Sequence, residues 1–599
     1  MNHLGTWASR LALASLLVGC KDDPAPADAA VADAGSADVG LDAGSADVPA
    51  VDVPAAVDQG ADAGVASDTG RPVPYNGPDD WCPGRDHCRA TGDNRLYVGA
   101  GRALINPTLV ETQFEDLNGD HEWQRNEPFT DVNGNGRFDA FWMAGFGNAR
   151  AARGIHDDLE VRAIAFRYND TTVALAVLDA VGYFINDMDA VRADPMLAGL
   201  GIDRVIIGST HVHEGVDTIG LWGPTASQTG LNREYQTLTH QRVAQAVRQA
   251  VMALRPARMR VVQAAPTDAM GDTRAYVNDT RDPVIYDPTL TVVRFTEADS
   301  PQTPIATWIN WSAHPEYAGS RNDQISADYV HWLREVTEMG DAARGLPGLG
   351  GTTVFVNGAL GGQVGPGGTR VPGADGMVVA NAGLPKAEAA GRNIGRFALE
   401  ALARDGVDIP NGDLSLSYRT APIAAEVENI GYHAYYLTNV FARDLLYFDM
   451  ARPFDETNVP WVRSRVTYLQ VGPVGTVTAP GELHPDLWVG TRDLRWSWGQ
   501  PPLTPMLPNS PDLSTAPAPP YLRDLVLMNP GVRYAFVSGL TEDFLGYIVP
   551  TYNFLLDPVT PYLNEPAGDH YEETNSIGPG SQRFLYAPME SIVRWRPSP

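Results

Sequence analysis

The chain has 599 residues, 44% hydrophobic and 20% charged, and its 73 Asp and Glu against 44 Lys and Arg give a formal net charge of −29. Such a surplus of acid argues against nucleic-acid binding, which needs clustered Lys and Arg. The length beyond about residue 90 is ample for a buried core, as one large domain or two tightly fused ones.

Residues 1–20 read as a secretory signal, Arg10 followed by Leu11-Ala-Leu-Ala-Ser-Leu-Leu-Val-Gly-Cys20, with an apolar run too short to span a membrane. Leu17-Val-Gly-Cys20 fits a bacterial lipobox with Cys20 as the lipidated residue, against the alternative of a chance cysteine behind an ordinary signal. Lys21 at the next position favours the outer membrane of a Gram-negative host. The expected location is therefore the cell surface or outer membrane, through a lipid anchor.

Residues 21–75 are mostly Ala, Asp, Val, Gly and Pro, and Asp-Ala-Gly-Ser-Ala-Asp-Val occurs twice. With so little to bury, this stretch reads as a solvated tether. Its eleven aspartates against Lys21 and Arg71 make −9 of the −29. Cys82 and Cys88 follow in Trp81-Cys-Pro-Gly-Arg-Asp-His-Cys88, and in an exported chain they read as a small disulfide loop ahead of a metal knuckle.

An acidic segment over residues 113–145 carries oxygen ligands at calcium-loop spacing. Asp116, Asn118, Asp120 and Glu127 stand at positions 1, 3, 5 and 12 of one loop. Asp131, Asn133, Asn135 and Asp139 repeat the spacing, with Gly136 sixth. Structural calcium is the reading, and a pair of Asx-turns is the alternative. The aromatic run Phe141-Trp-Met-Ala-Gly-Phe146 just beyond is expected to border a site entrance.

Val161–Arg167 and Val173–Leu178 flank a Tyr-Asn-Asp turn and read as a hairpin; Arg233–Leu254 and Leu384–Ala403 have helical periodicity. Helices alternating with strands and hairpins predict one α/β catalytic domain over residues 76–599, with mixed sheets flanked by helices.

Four apolar, strand-like runs end on residues able to hold a metal. They lead to His211-Val-His213, to Trp311-Ser-Ala-His314, to Pro480-Gly-Glu482 and to Gly546-Tyr547. Each alone is more often a hydrogen-bonded structural residue. Together, two imidazoles, a carboxylate and a weaker ligand make a hydrolytic zinc site at strand ends.

The wording of these segments resembles the neutral ceramidases, zinc amidases that split ceramide into sphingosine and a fatty acid. Ser209-Thr-His-Val-His-Glu-Gly resembles the family's Thr-His-Thr-His-Ser-Gly, Trp311-Ser-Ala-His-Pro its second histidine segment, Pro480-Gly-Glu its carboxylate segment, and Gly546-Tyr547 its tyrosine segment. The resemblance implies one zinc on His211, His314, Glu482 and Tyr547. It puts His213 beside the metal as a proton shuttle, Arg274 pointing into the site, and Tyr547 at the oxyanion. It implies attack of zinc-activated water on the N-acyl amide of ceramide or a related lipid. That lipid amide is then the substrate partner, with the membrane a partner through the lipid anchor; no protein partner is implied.

The sequence departs from the family at Gly365, where a serine is expected, and stops shortly after Tyr571-Glu-Glu-Thr without the family's C-terminal immunoglobulin-like domain. It also gains the acidic insert. Glu214 stands where the family has serine; an extra base or a group orienting His213 is one reading, and an exposed loop carboxylate is the commoner fate. A zinc hydrolase of another amide or ester class and a non-catalytic lipid- or glycan-binding lipoprotein remain the competing readings.

Overall fold

The structure, a computed structural model, describes residues 75–266, 273–279, 281–363, 366–455, 457–492, 494–497 and 501–597. The signal, Cys20, nearly all of the tether, and Gly365 lie outside them. All described residues fall in one compact unit.

Among the described residues the larger sheet has nine strands. Its main members are β1 (Leu96–Leu104), β2 (Glu160–Tyr168), β3 (Thr171–Leu178), β4 (Arg204–Ser209), β5 (Arg255–Ala264), β6 (Leu290–Glu297), β7 (Pro304–Trp311) and β8 (Thr352–Asn357). They run in the order β8-β7-β6-β5-β1-β2-β3-β4, with Val407–Asp408 paired to β5. The end pairs β8/β7 and β3/β4 are parallel and the pairs between them antiparallel, so the sheet is mixed. β2 and β3 are the expected hairpin, turning at Asn169 with Tyr168 opposite Thr171. A second, six-stranded sheet is built on β9 (Leu416–Glu426), β10 (Trp461–Val471), β11 (Val474–Thr478) and β12 (Tyr534–Ser538), the last two parallel.

The two sheets pack face to face. Val98, Phe166, Leu175, Val293, Phe295 and Trp308 of the first meet Tyr418, Leu469, Val474 and Phe536 of the second in one buried cluster. Helices cover the outer faces. On the larger sheet, α1 (Arg233–Met252) lays Ala244, Val247 and Ala250 on Ala163, Ala165 and Ala176, while α2 (Asp328–Met339) and α3 (Leu384–Asp405) cover Val262, Val292 and Ile309. α4 (Leu522–Leu527) and α5 (Ala587–Arg594) cover the smaller sheet. The result is a four-layer helix–sheet–sheet–helix stack. At about 1.5–3 kcal/mol for each large apolar side chain buried, these layers fix strand positions firmly. That rigidity lets the loops after β4, β7, β11 and β12 hold side chains in fixed relation. No described helix is long and apolar enough to cross a membrane.

Cys82 and Cys88 form a disulfide, with His87 Nε2 3.3 Å from Cys82 Sγ.

Candidate metal centre

The chain leaves β4 at Ser209 and turns sharply, with His211 held at φ +70°. The two histidines therefore do not lie on one extended segment. A left-handed residue without glycine is sparsely populated and persists where surroundings enforce it. Here the His211 backbone N–H donates to Ala180 O at 2.9 Å and its ring Nδ1 meets Val181 O at 2.6 Å. His314, three residues past β7, is fixed in the same way by Gln363 O at 2.9 Å from its Nδ1. With Nδ1–H given to a carbonyl, each ring turns its Nε2 lone pair inward.

Those lone pairs converge. His314 Nε2 lies 3.1 Å and His211 Nε2 3.3 Å from Glu482 Oε2, and His213 Nε2 lies 3.2 Å from His211 Nε2. His211, His213 and His314 are all buried, with ligand atoms within 4.8 Å of one another. A tetrahedral shell at ~2.05 Å has edges of ~3.3 Å, which these separations match. Inward lone pairs and a carboxylate in a dry site repel one another unless a cation sits among them, so this buried histidine group can hold a metal.

The electrostatics agree. Burial opposes charge on His211, but Glu482 offsets it and its pKa is raised. Burial, aided by His211 and His314, lowers His213 to about 4 despite Glu316. Against its own burial, Glu482 is held far below the carboxylate range by His211 and His314.

Glu482 and Tyr547 lie side by side in a two-residue parallel ladder, Glu482 opposite Tyr547 and Leu483 opposite Ile548. Tyr547 is buried, its ring 6.5 Å from that of His314, and it shares the wall of a narrow slot with His211, His213 and Glu482. Trp222, Tyr432, Phe544 and Tyr571 complete an aromatic wall, leaving about 40 Å³ of free volume. That is room for a few water molecules.

Phe146 packs edge-on to the His213 ring at 5.3 Å, and Gly145 lies so close that a Cβ there would stand 2.3 Å from His213 Cβ. Gly145 and Phe146, at the end of the run from Phe141, thus border the site.

One expectation is corrected. Glu214 is fully buried rather than exposed: Arg150 donates to its Oε2 at 2.8 Å and Asn322 at 2.8 Å, while Arg150 also donates to Ala144 O and His213 O. The pair ties the segment after the insert to the histidine loop. Arg274 is exposed on the turn Thr273–Ala275.

Sequence reasoning missed Glu316. It is buried two residues past His314, with Oε2 3.1 Å from His213 Nδ1. A carboxylate two residues beyond a metal-capable histidine was the available signal.

The acidic insert holds two loops with matching hydrogen bonds. Asp116 accepts from the N–H groups of Gly119 and His121, and Asp131 from those of Gly134, Asn135 and Gly136. Asn118 and Asp120 accept from Asp120 and Glu122; Asn133 and Asn135 accept from Asn135 and Arg137. Glu127 takes Leu117 and Gln124 N–H, and Glu111 takes Val132 and Asp139 N–H in the same way. Glu111, buried, is the second loop's counterpart of Glu127, which spacing within the loop could not reveal. Asp139 accepts from Asn133 and Asn135. Among the described residues, the acids of neither loop form a group of three with ligand atoms within 4.8 Å of each other.

No protein-family model matches the sequence, and no curated protein matches it significantly. Solved structures do match. The neutral ceramidase from Pseudomonas aeruginosa aligns with a TM-score of 0.53 over 84% of this chain and 74% of its own, at 13% identity. A ceramidase complexed with C2 aligns equally, with a TM-score of 0.53 over the same shares of each chain. The chain has the neutral-ceramidase fold, with a buried group of metal-capable histidines at its strand ends.

Proposed function

We propose that this chain is an exported, zinc-dependent amidohydrolase that cleaves the N-acyl amide of ceramide or a related lipid. The observation that carries the reading is the convergence of the His314 and His211 Nε2 atoms on the Glu482 carboxylate, at 3.1 and 3.3 Å, with His213 Nε2 3.2 Å from that of His211, within a ceramidase fold. His211, His314 and Glu482 would hold the zinc, with Tyr547 as the fourth ligand. Bound there, zinc supplies a Lewis acid that polarises a carbonyl and eases ionisation of water.

The chain's own residues do the rest. Val181 O and Gln363 O keep His211 and His314 aimed inward. His213, backed by Glu316, presents Nε2 to the cluster, where it can pass a proton to a departing amine. The aromatic wall excludes bulk water and strengthens each electrostatic contact inside.

The lipobox pattern at Cys20 supports a lipid anchor at the cell surface. The matched loops closed by Glu127 and Glu111 support structural calcium in the insert.

A second reading, a zinc hydrolase of a smaller amide or ester, is favoured by the 40 Å³ of free volume at the cluster. Elemental analysis joined to hydrolysis of a fluorescent N-acyl-sphingosine, with and without chelator, tests both. About one zinc per chain and chelator-sensitive turnover are expected. Zinc-loaded protein inert on ceramide but active on short amides or esters would select the second reading; a chain that takes up no zinc would sink both.

A further inference from the structure

We propose that a cavity at the far end of the larger sheet from the histidine cluster is a binding site for a phosphoryl group, free, on a small organic molecule, or on a lipid headgroup. On the sheet face that α2 and α3 cover, Val262 of β5 and Val292 of β6 lie in the apolar core. Two and four residues further along the same face come Arg260 and Arg258 on β5, with Arg294 and Thr296 opposite them on β6. The alternate residues Met259, Val293 and Phe295 point into the core between the sheets. α3 ends at Asp405, and past it a cavity of about 590 Å³ opens over the arginines. Arg294 also pairs in register with Thr307, well before the end of β7 from which His314 emerges, so this cavity is separate from the metal centre.

The charged lining is Arg95, Arg258, Arg260 and Arg294 against Asp299 and Asp408, four positive to two negative in a chain of net −29. Arg260 is satisfied by Asp408 at 2.9 Å and by Leu402 O, and Arg258 Nε donates to Ala298 O at 2.7 Å. Arg294 differs. Among the described residues it has no ion pair or hydrogen bond, and its Nε is buried without a partner.

In the ladder Arg294 stands directly opposite Arg260. Like charges facing each other across an antiparallel pair destabilise it. Burial and Arg260 both depress the Arg294 pKa, which reports the same unfavourable placement. An anion between the two guanidinium groups turns repulsion into attraction. The guanidinium fork matches phosphoryl oxygens in bidentate fashion, and the cavity has room for an attached organic group.

The test is titration calorimetry of the full chain at low ionic strength with inorganic phosphate and with glycerol 3-phosphate, against chloride at matched ionic strength. Sedimentation with phosphatidylcholine vesicles, with and without phosphatidate, runs beside it. Saturable binding of either soluble probe, weakened roughly tenfold or more in Arg294→Gln, supports the site with a soluble ligand. Binding to phosphatidate vesicles alone, lost in Arg294→Gln, supports a lipid headgroup. Arg258→Gln, at an exposed position, should weaken binding roughly threefold and serves if Arg294→Gln does not fold. No saturable binding of any phosphoryl probe to wild type, or undiminished binding by folded variants, overturns the proposal.

Discussion

Glu316 Oε2 lies 3.1 Å from His213 Nδ1, while the Nε2 of the same ring lies 3.2 Å from that of His211. A carboxylate on one nitrogen of an imidazole fixes which face the other presents, and such outer partners of metal-site histidines matter nearly as much as the ligands. Glu316→Gln keeps the shape and removes the charge. We expect it to retain zinc and lose ~10–100-fold in turnover, read as kcat alongside zinc content. Unchanged turnover in zinc-loaded Glu316→Gln would show that His213 needs no carboxylate.

The ligand assignment makes a sharper demand. His314→Ala and Glu482→Gln each remove one corner of the cluster while its remaining members stay buried. Both variants should fall below ~0.1 zinc per chain after dialysis and lose measurable hydrolysis. His213→Ala should keep the metal if His213 only stands beside it. Loss of zinc from His213→Ala would instead make it a ligand, which the 3.2 Å approach to His211 also allows.

What the sequence made legible follows a physical line. His211, His314, Glu482 and Tyr547 could be singled out as candidates because each follows an apolar run that reads as a buried strand, and a strand end is a fixed position. The β2/β3 hairpin and helices α1 and α3 were readable for the same reason, since local periodicity decides them. The partners of the buried charges were not. Glu214 is buried because Arg150, 64 residues away, meets it. Glu316 and Glu111 read as loop acids until the fold turns them inward. The face-to-face packing of the two sheets rests on pairings between distant strands, which no local pattern encodes.

Asp328 offers a test through pH. It is fully buried at the start of α2, accepting backbone N–H groups from Ala318 and Tyr329, and burial together with Glu214 raises its pKa to about 8. In the unfolded chain an aspartate titrates near ~3.9, so between about pH 4 and 8 the folded state holds a proton that the unfolded state has lost. Stability from this group is therefore full below pH 4 and is lost as pH rises towards 8. Asp328→Asn removes the titration and keeps one of the two acceptor oxygens, a loss that does not vary with pH. Relative to wild type, it should gain at least about 1 kcal/mol between pH 5 and pH 8 in urea unfolding. A difference between the two proteins that does not change with pH would mean Asp328 is ionised in the fold.

The insert supplies the last prediction. Its two loops share one hydrogen-bonding pattern, and each is closed by a buried glutamate that takes the N–H groups of the second and ninth residues, Glu127 in the first and Glu111 in the second. If calcium fills them, it binds the folded chain only and must raise the melting temperature. At 100 times its Kd, one ion adds about 2.7 kcal/mol. Metal-stripped protein restored with zinc should melt several degrees higher with millimolar calcium than with equal magnesium, which fits a flexible oxygen cage poorly. Glu111→Gln and Glu127→Gln should each remove part of that gain, and together most of it. Hydrolysis measured well below the melting point should change little, because the loops brace the segment leading to Phe146 without touching the histidine cluster. No calcium-dependent rise in the wild-type melting temperature would leave the loops as paired Asx-turns, held by their own backbone hydrogen bonds.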